Sequence, residues 1–269
     1  MKWNVLVDQL VKKTGLEKYI VHTFLLDYFE CVDTYNHPEE IASADLEQIT
    51  KLAEQLCSSK PMAYILQKTY FFDAFYYVDE RVLIPRPDTE ILVEKALKLS
   101  KGRVLDLCCG SGIIGLSIAK HTDCHVTLRD ISPEALEVAE INRKKVLTPS
   151  ARERVQLSQG DLLEGLTDRY DVIVSNPPYI PSDDVLHLGD AVKNYEPHLA
   201  LDGKEDGLYF YKKIASLAPQ YLTENGYILL EVGIGQAKDV AKYLEKEFKC
   251  ITIIKDNHGV ERVVCAQMR

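Results

Sequence analysis

Basic charge is in short supply in this 269-residue chain: 32 Lys and Arg stand against 41 Asp and Glu, a net charge of −9. Holding a nucleic-acid backbone takes clustered cations, so no direct nucleic-acid partner is expected. No C-x-x-C pair occurs, and the seven cysteines are an odd number, several of them inside predicted strands or helices. That argues against a zinc site or a disulfide framework, predicts no metal site, and points to a reducing compartment. No run is apolar for the length a bilayer demands, and Met1-Lys2-Trp3-Asn4-Val5 opens no apolar signal region. The expected location is cytoplasmic, with no membrane partner. Internal repeats and low-complexity tracts are missing as well. What remains, 46% hydrophobic and 27% charged residues, is the make-up of an ordinary globular protein.

Three regions differ in pattern. Up to about residue 68 the apolar residues recur at helical spacing: Val5, Leu6, Leu10 and Val11; then Val21, Phe24, Leu25, Tyr28 and Phe29; then Leu46, Ile49, Leu52, Ala53 and Leu56, with Ser43 or Asp45 as the expected N-cap. This predicts a small helical bundle, residues 1–68. The aromatic and β-branched stretch 70–84 predicts a hairpin within a linker, residues 69–86. Asp88-Thr89-Glu90 begins a helix running to about Leu99, at the start of the main domain, residues 87–269. From Lys101 onward strands (103–107, 125–129, 155–158, 170–175, 226–232, 249–255 and 262–267) alternate with helices at about 112–120, 132–145, 207–218 and 235–247. The fold class is therefore α/β: a doubly wound, mostly parallel sheet of seven strands, covered on both faces.

The first predicted strand ends at Asp106-Leu107 and runs into Cys108-Cys109-Gly110-Ser111-Gly112 and a helix. A glycine turn between strand and helix lets a ligand approach the backbone closely. About twenty residues on, Asp130 ends the second strand, where a carboxylate can accept from ribose hydroxyls. Gly110-x-Gly112-x-x-Gly115 also fits a dinucleotide fingerprint. Asp106 favours S-adenosylmethionine instead, because a carboxylate there helps orient an ammonium and opposes a pyrophosphate. The plain alternative is a strand-to-helix turn with Asp106 capping the helix. After the third strand, Asp161 could take an adenine amino group and Leu162 could pack on the ring; a solvated turn acid is equally open.

The second motif, Asn176-Pro177-Pro178-Tyr179, follows the apolar strand Tyr170–Ser175. Asn176 offers an amide oxygen, Pro177 a carbonyl with no N–H beside it, and each proline stiffens the residue before it. Together they can hold a planar NH2, one hydrogen on Asn176 and one on Pro177, while Tyr179 covers a face. The alternative is a turn with two prolines. His121, His125, His187, His198 and His258 are candidates by residue type alone and read as loop or surface residues.

With both motifs in view the chain resembles the class I methyltransferases, and more narrowly the protein-(glutamine-N5) methyltransferases that modify peptide chain release factors. The resemblance runs nearly end to end: Pro61 to Ile65, Leu83-Ile84-Pro85-Arg86-Pro87-Asp88-Thr89-Glu90, Asp106 to Gly112, Val174 to Ile180, Tyr195-Glu196-Pro197, Asp206-Gly207-Leu208, Glu231-Val232-Gly233 with Gln236, and Lys255-Asp256 with Arg262. It implies S-adenosylmethionine as methyl donor, S-adenosylhomocysteine as product, and the glutamine of a release factor's Gly-Gly-Gln loop as acceptor. By the same resemblance Cys108, Cys109, Gly110, Ser111 and Gly112 line the methionine part, Asp130 holds the ribose and Leu162 lies beside the adenine. Asn176, Pro177, Pro178 and Tyr179 would receive the glutamine, with Asn176, Pro177 and Tyr179 as catalytic residues. Cys108 stands where many methyltransferases have glycine, which leaves the backbone course there open. The competing class is an adenine-N6 methyltransferase acting on RNA or DNA, in which Tyr179 would stack a flipped base. A nicotinamide oxidoreductase would leave the proline loop without a purpose, and a cofactor-binding regulator would not need it intact.

Overall fold

A computed structural model describes residues 1–269. The chain opens with four helices, α1 (Trp3–Thr14), α2 (Lys18–Tyr28), α3 (Ser43–Gln55) and α4 (Met62–Leu66). Trp3, Leu6, Val7 and Leu10 of α1 meet Val21, Phe24 and Leu25 of α2 and Ile49 and Ala53 of α3 in a separate apolar cluster. The stripes converge because residues three and four apart share a helix face. The expected cap of α3 is not formed: Ala42 occupies the N-cap, with no side-chain cap bond. Ser43 already lies inside the helix, one position too late to cap it.

The hairpin is shorter than its composition predicts. β1 (Thr69–Phe71) pairs antiparallel with β2 (Ala74–Tyr76), and residues 77–86 form no strand. At Tyr77 a side chain meets both backbone groups instead. Asn142 accepts from the Tyr77 N–H at 2.6 Å and donates to the Tyr77 carbonyl at 3.0 Å. Aromatic content marked burial here, and burial was achieved without a ladder. A 3-10 turn at Pro87–Thr89 then leads into α5 (Glu90–Leu99).

The remaining strands are β3 (Arg103–Leu107), β4 (His125–Asp130), β5 (Val155–Gln159), β6 (Tyr170–Ser175), β7 (Leu222–Glu231), β8 (Phe248–Lys255) and β9 (Glu261–Met268). They form one sheet in the order β5-β4-β3-β6-β7-β9-β8, parallel except for β9. Between them lie α6 (Ile113–His121), α7 (Pro133–Val146), α8 (Pro149–Arg152), α9 (Ser182–Val185), α10 (Asp190–Tyr195), α11 (Tyr209–Leu217) and α12 (Ala237–Leu244). The short α8, α9 and α10 were not anticipated. β7 also starts four residues before its predicted start at 226, with a break in register around Asn225 and Gly226. No helix is long and apolar enough to cross a membrane.

Alternation along each strand divides the core between the two faces. Val104, Val126, Val172, Val174 and Leu229 pack with α5 and α6 on one side. Leu105, Leu107, Ile173, Ile228 and Leu230 pack with α11 and α12 on the other. From β3 the chain steps outward to β4 and β5, then returns to place β6 on the opposite flank of β3. The carboxyl ends of β3 and β6 therefore flank the switch point, the place where open α/β sheets form their crevice. Ser175 Oγ donates to the Leu107 carbonyl at 2.8 Å and ties the two ends together.

Candidate active site at the carboxyl edge of the sheet

The loop after β3 turns on left-handed residues: Cys108 at φ 55°, Gly110 at 53° and Gly112 at 80°. Cysteine does take the conformation a glycine would take freely, at a cost on the order of 1–2 kcal/mol. A Cβ on Gly112 would press on Leu116, Leu128 and Ala139 at 3.1–3.3 Å, so α6 starts in close contact with β4 and α7. Asp106 lies beneath this loop and is wholly buried. Its Oδ2 accepts the Gly115 N–H at 2.8 Å, while Oδ1 has no partner. Burial pushes its carboxyl up to about 7, and the nearby charge of Asp130 adds to the shift. Asp130, ending β4, accepts from the Gly110 N–H at 2.8 Å and the Ser132 N–H at 3.0 Å. It is thus both a wall of the crevice and a clamp on the glycine loop.

The loop after β5 carries Asp161 and Leu162, the latter buried and left-handed at φ 43°. Arg129 holds this loop from below. Its guanidinium donates to Ser158 Oγ at 2.6 Å and to the carbonyls of Leu162 and Glu164. In the sequence Arg129 looks like an ordinary strand residue; only the pairing of β4 with β5 reveals its use. Asp161 is partly exposed, 3.7 Å from Lys213 Nζ.

The loop after β6 is braced by side chains from distant segments. Asn176 turns its NH2 to Thr89 Oγ1 at 3.4 Å, and its Oδ1 takes no partner from the chain. Pro177 and Pro178 are buried. Gln236 Nε2 donates to the Tyr179 carbonyl at 2.9 Å, and Gln236 Oε1 accepts the Gly233 N–H at 3.0 Å. The Tyr179 ring is partly buried against the apolar cluster of α11 and α12. Across the opening, Arg86 pairs with buried Glu196 at 2.7 Å, and Arg262 joins Asp88 at 2.7 Å and Asp256 at 3.0 Å. Burial raises the Glu196 carboxyl even with Arg86 beside it. Residues 84–89 are thereby fixed over the sheet edge.

These loops enclose a cavity of about 320 Å³. Of the residues singled out in the sequence, Cys108, Cys109, Gly110, Ser111, Asp130, Asp161, Leu162, Asn176 and Pro178 line it. Asp106, Gly112, Pro177 and Tyr179 do not: Asp106 is buried beneath the glycine loop, Gly112 closes that loop against Leu128 and Ala139, and Tyr179 packs against the cluster of α11 and α12. The cavity also takes in Arg81, Arg86, Thr89, Pro197, Leu199, Tyr209 and Phe210, none of which was predicted from its own residue type. No histidine lines it. An amide oxygen and a backbone-rich glycine turn lining one cavity suit two ligands side by side, one with a planar NH2.

The pattern of the methyltransferase small domain family matches residues 87–193. A release factor glutamine methyltransferase of Clostridium acetobutylicum is 42% identical over 271 residues, 96% of this chain and 94% of that protein. Another, of Thermodesulfovibrio yellowstonii, is 36% identical over 260 residues, 93% of this chain and 91% of that protein. Among solved structures, a methyltransferase from Pyrococcus furiosus matches with a TM-score of 0.54 at 20% identity, covering 71% of this chain and 87% of that one. This last likeness speaks to the fold alone.

Proposed function

The chain belongs to the release factor glutamine methyltransferases, and from that premise we propose that it moves a methyl group from S-adenosylmethionine to the side-chain N5 of the glutamine in the Gly-Gly-Gln loop of peptide chain release factors. The observation that carries this reading is Asn176: its NH2 is turned to Thr89, its oxygen is unpartnered, and it lines the same cavity as the glycine loop. An adenine-N6 reading shares the proline motif, but neither the relatives nor a net charge of −9 favours it.

The residues present fit the methyl donor. The Gly110 backbone has open space beside it, Asp130 ends β4 within the wall, and Leu162 offers an apolar surface. When bound, S-adenosylmethionine supplies an electrophilic methyl on a sulfonium, leaving S-adenosylhomocysteine. In this reading Asp130 accepts from the ribose hydroxyls and Leu162 packs on the adenine. Cys108 to Gly112 border the methionine part, and Asp106 acts from beneath by holding the Gly115 N–H.

An amide nitrogen is a weak nucleophile because its lone pair is delocalised into the carbonyl. Asn176 Oδ1 and the Pro177 carbonyl would each take one amide hydrogen, aligning the nitrogen with the methyl and stabilising the positive charge that nitrogen gains. Pro177 and Pro178 keep those acceptors stiff, and Gln236 anchors the loop through the Tyr179 carbonyl. No strong base is required, since the N-methylated, N-protonated amide is itself a strong acid and loses its proton to water.

The release factor body would dock on residues 1–68, whose apolar cluster is separate from that of the sheet. They adjoin the sheet domain through Glu30, 3.1 Å from Lys145 of α7. The test is incubation with isotopically labelled S-adenosylmethionine and purified release factor, followed by mass mapping. Label on the Gly-Gly-Gln glutamine supports the reading; label on nucleic acid alone, or on no release factor, overturns it.

A further inference from the structure

Ser175 of β6 and Leu230 of β7 are register partners in parallel strands. One residue further on, Asn176 and Glu231 leave those strands side by side, on the face of Val174 and Leu229 that packs against α5. Thr89, just ahead of α5, is buried on the same face. Three polar side chains thus meet in an apolar wall. Glu231 is 3% exposed, and its Oε2 has no partner at all. A buried carboxylate left unmatched is costly, and a well-packed apolar residue would be cheaper.

We propose that Glu231 is a positioning residue: its ionised carboxylate decides which end of the Asn176 amide faces the cavity. The inference rests on the reading of Asn176 as acceptor for the glutamine NH2. The Asn176 amide has an acceptor end and a donor end, and only the acceptor end serves a substrate that presents hydrogens. With a carboxylate behind it, Asn176 must turn its NH2 inward, toward Glu231 and Thr89, leaving the oxygen outward. The flipped amide would set oxygen against carboxylate. A protonated Glu231 can donate to that oxygen, so the flipped amide becomes tolerable and donor then faces donor in the cavity.

The surroundings leave Glu231 free to do this. Arg262, the cation acting on it, is engaged by Asp88 and Asp256. The Tyr211 hydroxyl of α11 donates to the main-chain carbonyl of Glu231, not to its carboxylate. The groups facing the carboxyl are Thr89 and Asp88 before α5, Arg262 of β9, Asn176 and Tyr179 of the proline loop, and Tyr211 of α11. Burial pushes the carboxyl up to about 7, although Thr89, Arg262 and Asn176 beside it each favour the ionised form. The ionised, orienting form is therefore lost as pH falls through that value.

The test measures kcat on whole release factor with saturating S-adenosylmethionine, from about pH 5.5 to about pH 9, for the full-length chain, Glu231→Gln and Glu231→Asp. The unaltered chain should lose rate below about pH 7. Glu231→Gln offers both a donor and an acceptor and no longer selects. Its kcat at pH 8 should fall roughly tenfold, with the acid limb gone and the cofactor dissociation constant unchanged. Glu231→Asp should keep an acid limb and regain part of the rate. A Glu231→Gln enzyme with the original kcat and pH profile overturns the proposal, as does an acid limb that survives in Glu231→Gln. Should Glu231→Gln fail to fold, a flat profile in the unaltered chain overturns it alone. No transfer to release factor by the unaltered chain at any pH would instead sink the functional reading on which this inference stands.

Discussion

The glycine loop after β3 and the proline loop after β6 leave adjacent strands at the same edge, yet they are built in opposite ways. The first is held locally: left-handed backbone at Cys108, Gly110 and Gly112, and one carboxylate, Asp130, on the Gly110 N–H. The second is held from afar, by Thr89 ahead of α5 and by Gln236 ahead of α12. Beneath each lies a buried carboxylate with one orphan oxygen, Asp106 and Glu231, each pushed up to about 7 by burial. A cradle for a bound ligand needs exposed backbone, which small residues supply. A pair of acceptors for a reacting nitrogen needs rigidity, which prolines and long-range braces supply. The two loops should therefore separate binding from rate.

The largest separation is expected from Asn176→Ala. Losing one preorganised acceptor costs about 10²–10³ in rate, while the cofactor dissociation constant, measured by calorimetry, should hardly move. A matching loss of cofactor affinity would break the division. Asn176→Asp should be impaired as well, because it sets a second carboxylate against Glu231.

The two buried carboxylates sharpen the comparison through stability. The folded value for Glu231, about 7, lies above its ordinary 4.5, so folding is favoured most below that ordinary value and the advantage is lost as pH rises through the folded one. Glu231→Gln should therefore stabilise the fold at pH 8 by up to ~3 kcal/mol, with the gain absent near pH 4.5. Denaturant melts at the two pH values check this; a loss of stability at pH 8 would mean that the carboxylate is better matched than its orphan oxygen implies.

Asp130→Ala should do the reverse of Asn176→Ala. It should weaken S-adenosylmethionine binding by roughly 1–3 kcal/mol, through the lost ribose acceptor and the loosened Gly110 N–H. Titration calorimetry reads the change, and an unaltered affinity in a folded variant would remove Asp130 from the site. Gln236→Ala is subtler: freeing the Tyr179 carbonyl should lower kcat roughly tenfold without touching cofactor affinity. Least of all is Cys108→Gly, where relief of the left-handed cysteine and the added freedom of glycine oppose each other. A stability change under about 1 kcal/mol is expected in thermal melts.

Much of the fold could be read in advance because periodicity is local. Val104, Leu105 and Leu107, or Val172, Ile173 and Val174, announce a strand buried on both faces, and the glycine turn announces the helix after it. The hairpin at 70–84 misled because aromatic residues signal burial without saying what satisfies the backbone; Asn142, more than sixty residues away, does that here. The site divides in the same way. Asp130, Leu162 and Asn176 were visible because a strand end followed by a turn places a residue at the sheet edge whatever the rest of the chain does.

Arg129, Thr89, Glu196 and Glu231 were not assigned these functions because their roles depend on which segment lies beside them. The order of the strands decides that Arg129 spans to the loop after β5 and that Glu231 stands behind Asn176. It also decides that Asp106 and Tyr179 lie beside the cavity and not in its wall. Sequence by itself determined the main strands and helices of the sheet, the two loops and the chemistry those loops can offer, since these follow from dihedral preference and side-chain type over a few residues. Tertiary structure alone decided the partners of the buried charges and the orientation of the Asn176 amide, because desolvation and hydrogen bonding depend on neighbours brought together from distant parts of the chain.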